Sequence, residues 1–241
     1  MSQIPTSNVV KDEFGWEIPV EVVPLPSNGI LYNPDSTLYN RKTLEIKAMT
    51  AKEEDILASQ AYLKEGTVIK KLIQSCVIDK SFDPDNLIAG DRNALMVSIR
   101  ITGYGSEYNV DHTCQNCGLN QKVAVNLGAL PIKRLNQEPV EPGKNIFAFQ
   151  LPVTKKIVHF KYLSGHDDKE ESVKQKRLEN LRMKTDNTIT NFLERVIISV
   201  DGVTDKNKIK HFVNNMPAKD SRSLRLHISE SEPGIEMKWE Y

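Results

Sequence analysis

The spacing of apolar residues changes several times along the chain, and each change predicts a different kind of element. The first 48 residues contain short β-forming runs, at 16–23 and 44–47, separated by prolines at positions 5, 19, 24, 26 and 34. Proline fixes φ and removes a backbone donor, so this stretch cannot be helical. We predict an extended N-terminal arm over residues 1–48 that ends in a strand and lies either on its own domain or on another subunit.

From Thr50 the apolar spacing becomes helical. Thr50 followed by Glu53 has the pattern of a capping box, which marks the start of a helix. Apolar residues then recur every three or four positions over 50–65, 68–77 and 89–103, and this period predicts three amphipathic helices. Glycines at 103 and 105 end the third helix. The pattern therefore predicts a helical bundle over residues 49–105.

Beyond the bundle, apolar and polar residues alternate at 108–112 and 121–127, which predicts a β-hairpin with Cys114 and Cys117 at its tip. Further strands are expected around 146–151 and 157–162, which gives a small antiparallel β subdomain over 106–163. A long polar helix should begin after Ser164. Two or three further helices, at 189–199, 206–216 and 221–228, and a terminal strand at 235–241 complete a C-terminal helical region over 164–241. The predicted fold class is α+β.

Composition narrows the classes of function. Among 241 residues, Lys plus Arg and Asp plus Glu number 32 each, so a basic nucleic-acid-binding surface is not the dominant character of the chain. Three cysteines are too few for a disulfide framework and favour a reducing cytosol. We expect neither a signal peptide nor a membrane span, because no apolar stretch approaches the roughly 20 residues that a membrane helix needs.

The sharpest local signal is the run from His112 through Cys114 and Cys117 to Gly118. Two thiolates at this spacing in a tight turn can hold one tetrahedral zinc ion, but a structural site needs four ligands. A reduced, metal-free hairpin tip is the alternative, and a thioredoxin-type redox role is disfavoured because that motif opens a helix. Residues that could complete a zinc site are Cys76, His112, His159 and His166.

No catalytic signature accompanies the cysteine pair. The chain contains no Walker lysine, no G-x-S-x-G elbow and no H-E-x-x-H helix, so we do not predict an enzyme. Basic and aromatic residues alternate over 155–162, a pattern found in nucleic-acid-binding strips. Acidic residues at 167–171 cancel that field nearby, and we therefore expect no nucleic-acid partner.

Several short segments have the character of ordered turns and helix starts: VPLPSNGILY at 23–32, MTAKEEDIL at 49–57, GTV at 66–68, GDRNA at 90–94, RITGYG at 100–105 and CQNCG at 114–118. In their order and spacing they resemble the T4 baseplate protein family of contractile-tailed phages, which contains baseplate hub subunits and hub-assembly proteins. DSR at 220–222 and PGIEM at 233–237 resemble the later part of the family. Many relatives also carry a second cysteine pair after the last strand, and this sequence has none there.

The resemblance implies a non-enzymatic phage tail protein that is either a baseplate hub subunit or a factor required for hub assembly. Its implied mode of action is protein–protein binding, with other baseplate hub proteins or further copies of the chain as partners. Its implied locations are the host cytoplasm during assembly and the tail baseplate of the virion. The alternative is a zinc-binding interaction module or a nucleic-acid-binding module unrelated to phage tails.

Overall fold

The computed structural model describes residues 9–11, 14–113, 118–180 and 187–237, with side chains described for all of these except 9–11 and 175–180. Within these ranges the chain forms eight α-helices and ten β-strands, so the α+β prediction is confirmed. The helices are α1 (Ala51–Ala58), α2 (Gln60–Glu65), α3 (Val68–Cys76), α4 (Ala89–Tyr104), α5 (Gly165–Asn180), α6 (Thr188–Val196), α7 (Lys206–Asn214) and α8 (Ala218–Ser231). The strands are β1 (Val9–Lys11), β2 (Glu17–Pro24), β3 (Thr43–Lys47), β4 (Glu107–Thr113), β5 (Asn120–Asn126), β6 (Ile132–Lys133), β7 (Phe147–Gln150), β8 (Ile157–Phe160), β9 (Ile197–Val200) and β10 (Gly234–Ile235).

All strand pairs in these ranges are antiparallel. Strand β2 pairs with β1 through its first residues and with β3 through the rest, and Val20 lies opposite Lys47. The second three-stranded sheet has the order β7-β8-β9. Two further pairs, β4 with β5 and β6 with β10, are two-stranded. The strands thus form small separate sheets around the helices rather than one continuous sheet.

A single cluster of buried apolar residues joins all four predicted segments of the chain. Ile46 of β3, Leu72 of α3, Phe160 of β8 and Leu224 of α8 all belong to it and are almost completely buried. The division of the chain at residues 48, 105 and 163 stays a prediction about its organisation. The core itself runs across these boundaries.

The N-terminal segment is not a free arm along its whole predicted length. Leu25, Leu38 and Leu44 lie in the core, whereas the described residues before Val20 are largely exposed. The segment folds back at Gly29, whose φ is +74° and where a Cβ atom would lie only 2.6 Å from the carbonyl oxygen of Leu38. Its apolar residues follow the turns of the chain instead of a helix or strand period. That irregular spacing explains why the sequence pattern alone did not identify them as core residues.

Two helix predictions need correction. The single helix expected over 50–65 is interrupted at Ser59, which ends α1 and whose hydroxyl accepts a hydrogen bond from the backbone N–H of Tyr62 in α2. Residues 197–199, predicted as the end of a helix, belong to β9, because the mostly β-branched residues of this strand complete a sheet beside β8. The predicted last strand is seen only at β10, and residues 238–241 lie outside the described ranges.

Candidate functional site

Three buried carboxylates form hydrogen bonds to other parts of the chain. Asp91 of α4, Glu53 of α1 and Asp220 of α8 are each 0% exposed. Each lies in the first turn of its helix, where the partial positive charge of the helix N-terminus favours a carboxylate. Each also accepts hydrogen bonds from outside its own helix, so the three side chains link different parts of the chain by hydrogen bonds.

Asp91 binds the turn that follows β2. One of its oxygens accepts a hydrogen bond from the backbone N–H of Ser27 at 2.9 Å, and the other accepts from the hydroxyls of Ser27 at 2.5 Å and Tyr32 at 2.6 Å. The Tyr32 oxygen in turn accepts from the backbone N–H of Ile88 at 3.3 Å. Burial raises the pKa of Asp91, and burial together with the Asp91 charge raises the pKa of Tyr32 well above its ordinary value. The network holds the turn against the start of α4.

Gly90 brings the C-terminal part of the chain to the same place. A Cβ atom on this residue would lie within 2.7 Å of the carbonyl carbon of Pro233 and 3.1 Å from the Cα of Gly234. Only glycine lets the two backbones approach so closely. The segments around residues 27, 90 and 233 are distant in sequence, and they meet at the N-terminus of α4.

Glu53 fastens α1 to α3 and β3. Its carboxylate accepts from the backbone N–H of Thr50 at 2.8 Å, the Thr50 hydroxyl at 2.5 Å, the Ser75 hydroxyl at 2.5 Å and the Lys47 ammonium at 3.1 Å. Burial alone would raise the pKa of Glu53, but these hydrogen bonds outweigh it and lower the pKa to about 2. The predicted capping box is confirmed, and it carries two additional partners.

Asp220 fastens α8 to the turn between β7 and β8. It accepts from the backbone N–H groups of Val153 at 2.7 Å and Thr154 at 3.0 Å, and from the Thr154 hydroxyl at 2.8 Å. Burial opposes ionisation, yet the hydrogen bonds lower the pKa of Asp220 below its ordinary value. As with Asp91 and Glu53, the bonding capacity of this carboxylate serves to hold the fold together.

The proposed zinc ligands Cys114 and Cys117 lie outside the described residues. His112 is half-buried in β4, opposite Gln121 of β5. In the ranges that the structure describes, no group of three or more His, Cys, Asp and Glu side chains is placed to hold a metal ion. Zinc binding at the hairpin tip therefore stays a prediction.

The other residues considered as zinc ligands lie on different elements and have local roles. Cys76 is completely buried in α3, where burial and the charge of Glu53 raise the pKa of its thiol to about 11. The Nδ1 atom of His159 lies 3.0 Å from the Ser199 hydroxyl. His166 contacts the side chain of Asn86 at 2.9 Å. Among the residues that the structure describes, none of these three belongs to a group that could hold a metal ion.

A cleft of about 230 Å³ lies between α3, α4 and α5, and its charged side chains are largely paired with one another. Asp85 lies 2.7 Å from the Lys70 ammonium and 2.9 Å from that of Lys169. Asp168 similarly bridges Arg92 and Arg195, at 2.6 and 2.8 Å. Because the opposite charges compensate each other, the cleft carries no strong field for an ionic ligand, and its ion pairs tie α5 to the rest of the fold.

The β4–β5 hairpin exposes most of its side chains. At its base the Arg100 guanidinium donates to the carbonyl oxygens of Gly105 and Glu107, at 3.0 and 3.4 Å, and lies 4.9 Å and 5.6 Å from the ring centres of Tyr104 and Tyr108. These contacts orient the hairpin on the end of α4. The RITGYG segment was noted in the sequence, but the role of Arg100 could not be derived without the position of the hairpin.

None of the helices in the described ranges has the length and apolar character needed to cross a bilayer. A protein-family model described as T4 bacteriophage base plate protein matches residues 30–241, which is nearly the whole chain. No match was found among curated proteins. A search of solved structures likewise found none.

Proposed function

Since this chain belongs to the T4 bacteriophage base plate protein family, we propose that it is a structural protein of the phage baseplate hub that acts by binding other baseplate proteins. The observation that carries the proposal is the family match over residues 30–241. The family itself points to a structural role in the baseplate and away from enzymatic activity. The assignment to the hub, and binding as the mode of action, are the steps that we add.

The use of polar residues in the fold supports a structural role. Asp91, Glu53 and Asp220 carry chemistry that an active site could employ, but each is fully buried and hydrogen-bonded to another part of the chain. The hairpin formed by β4 and β5, in contrast, leaves most of its side chains exposed. A fold whose buried polar residues are hydrogen-bonded within the chain, together with an exposed hairpin, is an arrangement suited to binding a neighbouring subunit.

We further propose two forms of this function, which one experiment separates. A hub subunit stays in the finished tail at a fixed copy number, whereas an assembly factor is present in hub intermediates and leaves before the tail is complete. Quantitative mass spectrometry of purified baseplate intermediates and finished tails measures both. Absence of the chain from intermediates and finished tails alike would refute the proposal.

A genetic test addresses the requirement for the protein. Infection with a phage that lacks this chain should yield no complete baseplate hub, and expression of the wild-type chain from a plasmid should restore it. The Asp55→Asn variant is a matched positive control for the complementation, because Asp55 is exposed on α1. Normal hub assembly without the chain would show that the protein acts elsewhere.

A further inference from the structure

The β4–β5 hairpin has an open edge. The two strands pair over seven residues each, and neither has another neighbour among the strands that the structure describes. Two-stranded hairpins are only marginally stable by themselves, and an exposed edge strand presents unpaired backbone groups to which another strand can bind. The hairpin is therefore able to accept a third strand.

The register shows which backbone groups are available on β4. The N–H of Leu127 donates to the carbonyl oxygen of Ser106 at 2.8 Å, just before Glu107 pairs with Asn126. In an antiparallel ladder the inward-bonding residues alternate. Residues 106, 108, 110 and 112 therefore bond toward β5, while 109, 111 and 113 direct their N–H and C=O groups outward. The outward carbonyl of Glu107 is occupied by Arg100, so with respect to the described strands the edge is open from Asn109 onward.

The side chains along this edge are acidic. Glu107 and Asp111 lie on the same face of β4, four residues and about 13 Å apart. Neither carboxylate has an ion-pair partner in the part of the chain that the structure describes. On β5 the only charged side chain is that of Lys122, opposite Asp111. The open edge of β4 is therefore complementary to a basic strand.

The opposite face of the hairpin has apolar character. Tyr108 lies opposite Val125, and Val110 lies opposite Val123. Val125 is buried, but Tyr108 remains 46% exposed and the two central valines are half-buried. An incoming strand whose side chains alternate between basic and apolar would match both faces at once.

We propose that the outer edge of β4 binds an extended segment of another baseplate protein, in which two Lys or Arg residues stand four positions apart with apolar residues on the alternate face. The segment adds a third strand to the hairpin through the outward groups of Asn109, Asp111 and Thr113. The proposal rests on the proposed function only for the statement that the partner is a baseplate protein.

A second copy of the chain fits this edge less well. If two β4 strands paired antiparallel with Val110 opposite Val110, the two Asp111 side chains would lie diagonally across from each other, at roughly 7–8 Å. The two Glu107 carboxylates would lie on the same face, so the like charges would repel. The other possibility is that β5 of one copy pairs antiparallel with β4 of another copy, as the two strands do within one hairpin. Both protein bodies would then lie at the same end of the sheet. Adjacent strands are only about 5 Å apart, so the two bodies would collide.

The test uses the full chain and two synthetic heptapeptides, TKVTVKT and its acidic counterpart TEVTVET. Binding is followed by the NMR shifts of the backbone amides. We expect the lysine peptide to bind at least tenfold more tightly than the glutamate peptide and to shift the amides of Asn109, Asp111 and Thr113. Equal affinity for both peptides, no binding of either, or shifts confined to β5 would overturn the proposal.

Proline substitutions distinguish strand addition from general charge attraction. Asp111→Pro removes an outward N–H and a carboxylate but leaves the bonds between β4 and β5, so it should abolish binding of the lysine peptide. Lys122→Pro makes the matching change on the other edge and should leave binding intact. Asp111→Asn keeps the backbone donor and removes only the charge, and it should weaken binding of the lysine peptide several-fold. This variant tests the role of the charge even if the proline variant distorts the hairpin. Unchanged affinity in Asp111→Asn would refute the role of charge.

Analytical ultracentrifugation of the wild-type chain over a range of concentrations measures its oligomeric state and tests whether a second copy of the chain binds the β4 edge. We expect Asp111→Pro and the wild type to show the same oligomeric state. A dimer that dissociates in the Asp111→Pro variant would assign the edge to a second copy and overturn the proposal. Failure of this test leaves the proposed hub function standing, because the chain could bind its partners through another surface.

Discussion

Replacing Glu53 with glutamine tests whether the segment at 49–57, one of those that resemble the family, stabilises the fold. The substitution keeps the size of the side chain and one acceptor oxygen, but it removes the negative charge that Lys47, Thr50 and Ser75 surround. Because Glu53 is completely buried, solvent cannot replace the lost interactions. We expect a large loss of stability that depends on pH.

The size of the effect follows from the pKa of the carboxyl. Its value falls from 4.5 to about 2 in the folded protein, and each pKa unit corresponds to about 1.4 kcal/mol. The ionised carboxylate therefore contributes about 3 kcal/mol to the free energy of unfolding at neutral pH. Between pH 4.5 and 2 the unfolded state binds more protons than the folded state, so this contribution is complete above pH 4.5 and is lost as the pH falls toward 2.

Urea unfolding of the wild type and the Glu53→Gln variant at several pH values, followed by far-UV circular dichroism, measures the difference. We expect about 3 kcal/mol at pH 7, equivalent to roughly 6–12 °C in the midpoint of thermal unfolding, and a progressively smaller difference toward pH 3. Asp55→Asn, an exposed carboxylate change in the same helix, should alter stability by less than about 0.5 kcal/mol. Equal stability of Glu53→Gln and wild type at pH 7, or a difference that does not vary with pH, would refute the reasoning.

Further substitutions test the close contact at Gly90, the contacts of Arg100 with the hairpin, and the cysteine pair. Gly90→Ala forces a Cβ against the Pro233 backbone and should destabilise the fold by about 1–3 kcal/mol in urea unfolding, whereas a Cβ in Gly103→Ala comes no closer than 3.1 Å to its nearest neighbours, atoms of the Met49 side chain, and should cost less stability. Arg100→Ala should accelerate hydrogen exchange across β4 and β5 while the midpoint of thermal unfolding falls by only a few degrees; unchanged exchange would show that the hairpin is held by other contacts. If Cys114 and Cys117 hold zinc, replacing both with serine should release the metal and lower the unfolding midpoint, and elemental analysis that finds no zinc in the wild type would contradict the idea.

Local chemistry made much of the fold predictable. The capping box at Thr50 and Glu53 identified the start of α1, and the three- and four-residue spacing of apolar side chains located α3 and α4. Alternation located β4, β5, β7 and β8. In each case the signal lies within one element, since it records which face of that element packs against the rest of the protein.

The features that were missed depend on contacts between distant segments. The strand β9 pairs with β8, which lies nearly 40 residues earlier, and without that partner its β-branched residues are also compatible with the end of a helix. The irregular apolar residues at 25–46 fill the core only because the turn at Gly29 folds them back onto α3 and α4. Pairing between remote segments leaves no periodic pattern in the sequence of either one.

The same distinction limits what family resemblance can say about partners. The segments that carry the resemblance include Asp91, Glu53 and Asp220, and a change at any of them leaves buried donors unsatisfied, which costs stability wherever the protein acts. Exposed side chains on the outer edge of β4 contribute little to folding, so they can differ between proteins that share this scaffold. Recognition of the family therefore identifies the body of the protein, whereas the strand that we propose as partner would be selected by exposed residues such as Asp111, which do not determine the fold. This is why the variants on the hairpin should change binding without changing stability, and those in the core should change stability first.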